Sequence, residues 1–395
     1  MRRTSLTRRS TATARRPSDR GAQIVTAAAT LFRKRGFVNV SMKDVAAEVG
    51  VTAPAIYRHF PGKDALLSAA IDSGLTQVES VVAASTTLRA LLDGLAEVAV
   101  ERSDLWMLIT RESENLPEDQ RHQVQQRFAA LRDALAGHLT TARPPLSEPD
   151  LDLLTRAVLA ALAAPAQFGQ RLTGRRLATA LAAISATICE IDVPHATGSA
   201  TTAAHRNQFD ASLSRQEEVL AVAARLFAER GYQNVSLADI GAEADMAGPS
   251  LYHHFASKSE ILLGVLRRSI DWIELDRTRS IRDNDEPDIA LHRLVESYVD
   301  MAMATPDLFR VFTKEAINLR GADQEFARRA PRQLVTHWTA MLRRAEPALS
   351  EGEAQTRVTA CLSVINELAP ARRHAQQHDH PERLASIAMA VLLGR

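Results

Sequence analysis

With 395 residues, 46% of them hydrophobic, the chain is longer than one ordinary core requires and is expected to divide into two or three domains. An aromatic content of 5% and an abundance of Ala, Leu and Arg favour an all-α fold, and the net charge of +1 discriminates against no class of partner. Two cysteines, Cys189 and Cys361, exclude a disulfide scaffold. With no apolar run approaching the ~20 residues of a membrane span and no secretory leader, a soluble protein of the reduced cytoplasm is expected.

The first predicted element is a disordered basic arm, residues 1–20, with seven arginines (Arg2, Arg3, Arg8, Arg9, Arg15, Arg16 and Arg20) against Asp19. It reads as an arm touching DNA, as a solubilising tail, or as an Arg-rich transit peptide.

A compact head follows over 21–66. Ile24, Ala28, Leu31 and Phe32 share one helical face, and the helix is expected to stop at Gly36. Ser41 with Asp44 three residues on marks a capped start for a short second helix, which buries Val45, Ala46 and Val49 and breaks near Gly50. A third helix begins with Thr52 as N-cap and Pro54 in its first turn, burying Ile56 and Phe60. Helix, tight turn and helix make the unit that lays a recognition helix in the major groove. Tyr57, Arg58, His59 and Lys63 gather hydrogen-bond donors at the end of that helix; alone, such a cluster is usually just a solvated face.

A helical body is expected over 67–191. Its Ala- and Leu-rich stretches, 151–164 and 177–188, suit either plain core or a helix-helix interface. Trp106, Met107, Ile109, Arg111, Glu112, Phe128 and Phe168 are its candidates for an apolar ligand pocket, against the plainer reading that each is core. Residues 192–215, rich in Ala, Thr, Ser and Gly, form the predicted linker.

The chain then repeats itself. Ala28 to Leu67 aligns without gaps onto Ala223 to Leu262 at an offset of 195, placing a second head at 216–261 and a second body at 262–395. Leu31-Phe32, Arg35-Gly36, Asn39-Val40-Ser41, Tyr57, His59-Phe60 and Lys63 return as Leu226-Phe227, Arg230-Gly231, Asn234-Val235-Ser236, Tyr252, His254-Phe255 and Lys258. Asp104-Leu105, Thr110, Glu112 and Asn115-Leu116 return in the second body as Asp307-Leu308, Thr313, Glu315 and Asn318-Leu319. Tyr298, Met301, Met303, Phe309, Phe312, Glu315, Phe326 and Trp338 are the second body's pocket candidates. Residues 358–369 and 384–393 match the Ala- and Leu-rich stretches, so the two copies are expected to pair within one chain through a four-helix seam.

The heads differ in charge. Residues 24–67 carry Arg33, Lys34, Arg35, Lys43, Arg58 and Lys63 against Asp44, Glu48 and Asp64, whereas 219–262 carry Arg225, Arg230 and Lys258 against Glu229, Asp239, Glu243, Asp245 and Glu260. Lys43 becomes Ala238, Thr52 becomes Ala247, Ala53 becomes Gly248, Ala55 becomes Ser250 and Arg58 becomes His253.

The run Leu-Phe, Arg-Gly-Phe/Tyr, Asn-Val-Ser and Tyr-x-His-Phe-x-x-Lys resembles the TetR/AcrR family of one-component bacterial repressors, specifically over 20–75 and 215–270 and loosely over the bodies. The resemblance implies a three-helix DNA-binding head on a helical ligand-binding body whose last two long helices form a dimer interface. By position it implies phosphate contacts from Tyr57, His59, Lys63, Tyr252, His254 and Lys258. Base or nearby backbone contacts fall to Lys43, Thr52, Ala53, Ala55 and Arg58, with Ser236, Ala247, Gly248, Ser250 and His253 in the second head. Two heads in one chain depart from the family's usual single head, and this architecture is similar to the tandem regulators of actinobacterial lipid-uptake (mce-type) operons.

Other chemistry is weakly signalled. His374, His378 and His380 have metal-compatible spacing but no completing ligand, and Asp283, Asp285, Glu286 and Asp288 lack the glycine and final glutamate of a calcium loop. No nucleophile or phosphate-loop motif appears, so no enzyme, cofactor or metal is expected. The expected function is a repressor, partnered by operator DNA and an apolar effector, for which the resemblance implies a lipid-related molecule. The alternative is an interaction scaffold in which one head has lost DNA.

Overall fold

A computed structural model describes residues 17–143, 146–194, 214–246, 248–281, 286–370 and 380–395. Most of the arginine arm and of the linker, Ala247, Asp283, Asp285, His374 and His378 lie outside them. Among the described residues there is no strand, and no helix is long and apolar enough to cross a membrane.

The first copy comprises α1 (Pro17–Arg35), α2 (Met42–Val49), α3 (Ala53–Tyr57), α4 (Lys63–Ala84), α5 (Leu88–Glu101), α6 (Leu105–Met107), α7 (Glu118–Ala142), α8 (Glu148–Leu162), α9 (Ala164–Gln167) and α10 (Gly174–Glu190). A π-helical turn, Leu108–Glu112, continues α6. The second copy comprises α11 (Arg215–Arg230), α12 (Leu237–Glu243), α13 (Gly248–His254), α14 (Lys258–Ile281), α15 (Pro287–Ala304), α16 (Pro306–Lys314), α17 (Gly321–Ala345), α18 (Glu351–Leu368) and α19 (His380–Leu393).

Local chemistry accounts for the short head helices. Ser41 and Ser236 each form a full capping box, with Asp44 and Asp239 respectively, satisfying amides that a helix start leaves open. Gly50 ends α2 in the left-handed conformation (φ +70°), its N–H reaching Ala46 O and Ala47 O. Asp245, in the same place in the second head, also takes positive φ (+49°), which an Asp tolerates better than most residues.

The bodies join along α8, α10, α18 and α19, so the four-helix seam expected from the Ala- and Leu-rich stretches forms within one chain. Small residues let the helices approach closely: Ser363 Oγ donates to Ala160 O at 2.6 Å inside the seam, and Gly352 lies so near Leu172 that an added Cβ would stand 2.7 Å from it. Gln170 donates to Thr359, and Arg171 pairs with Glu351. Arg383 of the second copy forms a buried ion pair with Asp150 of the first.

The cores divide unevenly. Head 1, with the first part of α4, Leu108, Leu116 and Val124, forms one apolar cluster, while head 2 shares a continuous core with both bodies.

Candidate DNA-binding heads and ligand cavity

Ile56, fully buried, anchors α3 in head 1, so its opposite face looks outward. Tyr57 is 53% exposed, and Lys43, Thr52, Arg58 and His59 are also exposed, with Ala53 and Ala55 half-buried. Thr52 occupies the N-cap, yet its side chain makes no capping bond. Head 2 repeats the arrangement around buried Leu251, with Tyr252 60% exposed, Gly248, Ser250 and His253 exposed, and His254 half-buried. Ser236 differs from its assignment as a DNA contact, because its hydroxyl is engaged within the capping box, 2.6 Å from Asp239 Oδ2.

Lys63 and Lys258, expected to meet phosphates, are bonded within their own heads. Lys63 Nζ donates to Phe37 O at 2.8 Å and stands 4.1 Å from that ring's centre. Lys258 Nζ donates to Tyr232 O (2.8 Å) and Val235 O (2.7 Å), 4.3 Å from the Tyr232 ring centre. Desolvation lowers both ammonium pKa values. These lysines pin the loop after the first helix of each head, a role that the motif alone could not separate from phosphate binding. Lys258→Ala should therefore destabilise the chain more than Lys63→Ala, each by roughly 1–3 kcal/mol, since hydrogen bonds from a charged group carry about 1.5–3 kcal/mol in total context. Urea unfolding of both variants checks the order; the opposite ranking would show that carbonyl count does not set the cost.

Each pinned loop is also held by a body. Phe37 N–H donates to Glu112 Oε2 at 3.1 Å, and the Tyr232 amide meets Glu315 in the second copy. The copies cross-brace here: Arg111 donates through Nε (3.0 Å) and Nη2 (2.8 Å) to Lys314 O, and Arg320 reaches Asn39 of head 1 at 2.5 Å. Burial raises the Glu112 and Glu315 pKa values against the attraction of Arg111. A carboxyl raised in the folded state favours folding most below its unfolded value near 4.5, and that contribution is lost as pH climbs through the folded value. Glu112→Gln should consequently lose little stability at neutral pH and abolish the fall in stability that Glu112 contributes as pH climbs above its unfolded value, whereas Glu112→Ala, leaving the Phe37 amide unpaired, should cost about 1–3 kcal/mol. Unfolding of both variants between pH 4 and 8 measures this; equal losses would mean that the amide bond is immaterial.

An apolar cavity of about 70 Å³ lies in the first body, lined among others by Leu75, Val78, Leu95, Val98, Trp106, Ile109, Phe128, Leu131 and Leu159. Leu75 belongs to the head 1 cluster and most of the other walls to the body core, so the cavity sits where the two packing units meet. Of the first-copy candidates in sequence, Trp106, Ile109 and Phe128 line it. Met107 and Arg111 do not; they meet one another at the junction between copies, where Arg111 Nη1 lies 2.8 Å from Met107 Sδ. Phe168 packs on the body core instead. In the second copy Tyr298, Phe309 and Trp338 fill core: the Tyr298 ring meets Phe309 at 5.2 Å and Trp338 at 5.4 Å, both edge-on, with Phe312 6.5 Å beyond Phe309 and Met303 at the margin. The aliphatic walls Leu75, Leu95 and Leu131 were missed because an apolar helix face reads alike whether it lines core or cavity.

Among the described residues no cluster of His, Cys, Asp and Glu suits a metal, and His380 is buried, its Nε2 3.4 Å from Leu368 O.

The family described as bacterial regulatory proteins, tetR family, matches residues 24–70 and 219–265, one match per head. Over 71 residues, 18% of this chain, the sequence is 45% identical to the HTH-type transcriptional repressor KstR2 of Mycobacterium tuberculosis, and over 86 residues, 22% of this chain, 31% identical to the HTH-type transcriptional activator FasR of Mycolicibacterium smegmatis. The chain spans 35% and 39% of these relatives' own lengths. A TetR-family regulator from Bordetella parapertussis 12822 aligns over 46% of this chain and 95% of its own at 18% identity, with a TM-score of 0.43. The paired matches fall on two heads that repeat the same capped helix-turn-helix, so the chain carries, in tandem, two head domains similar to those of the tetR family.

Proposed function

We propose that this chain is a cytoplasmic transcriptional repressor that holds an operator with two unequal heads and lets go when an apolar small molecule enters the first body. In this reading the arm is 1–20, the heads are 21–66 and 216–261, the bodies are 67–191 and 262–395, and 192–215 links the copies. Carrying it is the pair of family-matched heads, each with an exposed third-helix face. Tyr57, Arg58 and His59, with Tyr252, His253 and His254, meet backbone phosphates, while Lys43, Thr52, Ala53 and Ala55, with Gly248 and Ser250, lie toward the bases.

The cavity supplies the switch. A molecule wedged between Leu75 on the head side and Trp106 and Ile109 on the body side moves the π-helical turn that ends at Glu112, and Glu112 holds the Phe37 amide of head 1. Head 1, with its own apolar cluster, turns relative to the bodies at less cost than head 2, whose core is continuous with them. The surplus of acids in head 2 keeps a second reading in view, in which that head is scaffold and only head 1 grips DNA.

Selection of bound sequences from a random duplex library, followed by fluorescence anisotropy, tests the proposal: salt-sensitive binding of the selected DNA supports it, and no selectable sequence refutes it. Because phosphate contacts weaken with salt, removing residues 1–16 while leaving α1 intact should lower affinity at least tenfold at physiological salt and flatten the salt slope. An unchanged slope would reduce the arm to a tail.

A further inference from the structure

The offset between the bodies, 203 over α5 and α7, places Tyr298 where the first copy has Leu95 and Trp338 where it has Leu135. It drifts to 205 at Ala164-Pro165-Ala166 and Ala369-Pro370-Ala371, so Asn366 falls near the counterpart of Ala163 at the end of α8. Leu95 and Ala163 line the first-copy cavity. In the second copy the larger residues close the matching space as a set: Tyr298 and Trp338 are almost wholly buried against one another, and the Tyr298 hydroxyl donates to Asn366 Oδ1 at 3.0 Å. The Tyr298 phenol is buried with its hydroxyl satisfied, while the Trp338 indole N–H is buried with no hydrogen-bond partner among the described residues, so ring packing and not polar satisfaction closes this space.

The first-copy cavity has its own selectivity. Among its lining residues Arg102 alone carries charge, and no carboxylate stands with it. That guanidinium is already committed: Nε and Nη2 make a paired contact with Asp104 at 3.1 and 2.9 Å, Nη2 also reaches Ala70 O at 3.1 Å, and Nη1 lies 3.4 Å from Ser73 Oγ. An anionic ligand would have to displace Asp104 or enter an apolar space uncompensated, and a cationic one would find no counter-charge.

We infer that the chain binds one uncharged, apolar molecule, in the first copy only, and that the second copy is a built-in partner without a site of its own. The inference rests on the repressor reading for the consequence of binding but not for the binding itself. The π-helical turn fits the same asymmetry, for Leu108–Glu112 has the irregular form beside the cavity whereas its counterpart in the second copy lies mostly within the regular helix α16.

1-Octanol and octanoate, matched in chain length and differing in charge, test this on the full chain by calorimetry; both exceed the free space of about 70 Å³, so binding also requires the cavity walls to part. One octanol per chain is expected, with octanoate at least tenfold weaker. Leu95→Phe, and separately Ala163→Leu, should each weaken octanol binding at least tenfold by filling the first cavity, while Trp272→Phe, outside the cavity lining, should leave it unchanged. Thermal unfolding confirms that each variant is folded. Two octanols per chain, none, octanoate equal to octanol, or binding that survives in both filled variants overturns the inference. Anisotropy on the selected DNA then separates the two readings: a single octanol that binds without weakening the DNA complex upholds the one-site inference and defeats the effector role.

Discussion

Arg383→Met should lower the stability of the chain by about 3–5 kcal/mol, because it removes the cation of a deeply buried ion pair. The Arg383 and Asp150 side chains are 4% and 6% exposed, on opposite copies, and Asp150 also accepts from Ser147 Oγ at 2.5 Å. With its cation gone, the carboxylate would have to stay charged in an apolar seam or take up a proton, and both cost free energy. The double change Asp150→Leu with Arg383→Met should recover most of the loss, since a well-packed apolar pair often equals a buried salt bridge. Urea unfolding of the two variants beside the parent decides. Because the seam joins two parts of one chain, its midpoint should not move with protein concentration, as it would if the copies paired between chains. A loss below about 1 kcal/mol for Arg383→Met would mean that water or another group reaches Asp150 in the variant.

The sequence made the heads legible because several local signals agreed there. Ser41 with Asp44, Ser236 with Asp239, and the buried positions Ile24, Phe32, Val45 and Ile56 are fixed by spacing within a few residues. The seam was legible from composition, because close helix packing needs small side chains over a long stretch, and Ala157, Ala160 and Ala161 are fully buried in it. What stayed hidden depends on contacts between distant residues. Lys63 and Lys258 look like phosphate ligands in the motif, but 26 residues back along the chain each finds a carbonyl that holds its ammonium. The cavity was hidden for the same reason. Trp106 and Phe128 stood out as aromatic, while Leu95 and Ala163 matter for what they fail to fill, which shows only against Tyr298 and Asn366 in the other copy. Arg111 looked like an anchor for a ligand and turns instead to Lys314 O across the copies.

The selected operator should be non-palindromic, with unlike half-sites in adjacent major grooves about one helical turn, or a small multiple of it, apart. A dimer of identical heads reads an inverted repeat because its two-fold axis forces the same contacts on both halves. Here the intrachain seam joins bodies whose heads differ at the positions proposed to face the bases: exposed Lys43 in the first corresponds to exposed Ala238 in the second, and exposed Arg58 to exposed His253. Lysine donates to guanine O6 and N7 and alanine cannot, so on the proposed function the second head lacks a base contact of the kind that discriminates by roughly 1–3 kcal/mol. Lys43→Ala should therefore cost about 1–3 kcal/mol on the intact operator and relax the sequence preference of one half-site, leaving the preference of the other unchanged. Three duplexes separate the outcomes: the selected site, an inverted repeat of its first half, and an inverted repeat of its second half. The selected site should bind at least tenfold more tightly than either repeat, since each repeat presents one head with the other's sequence. If an inverted repeat binds best, and Lys43→Ala alters both halves alike, the heads read the same bases and their differences lie outside the groove.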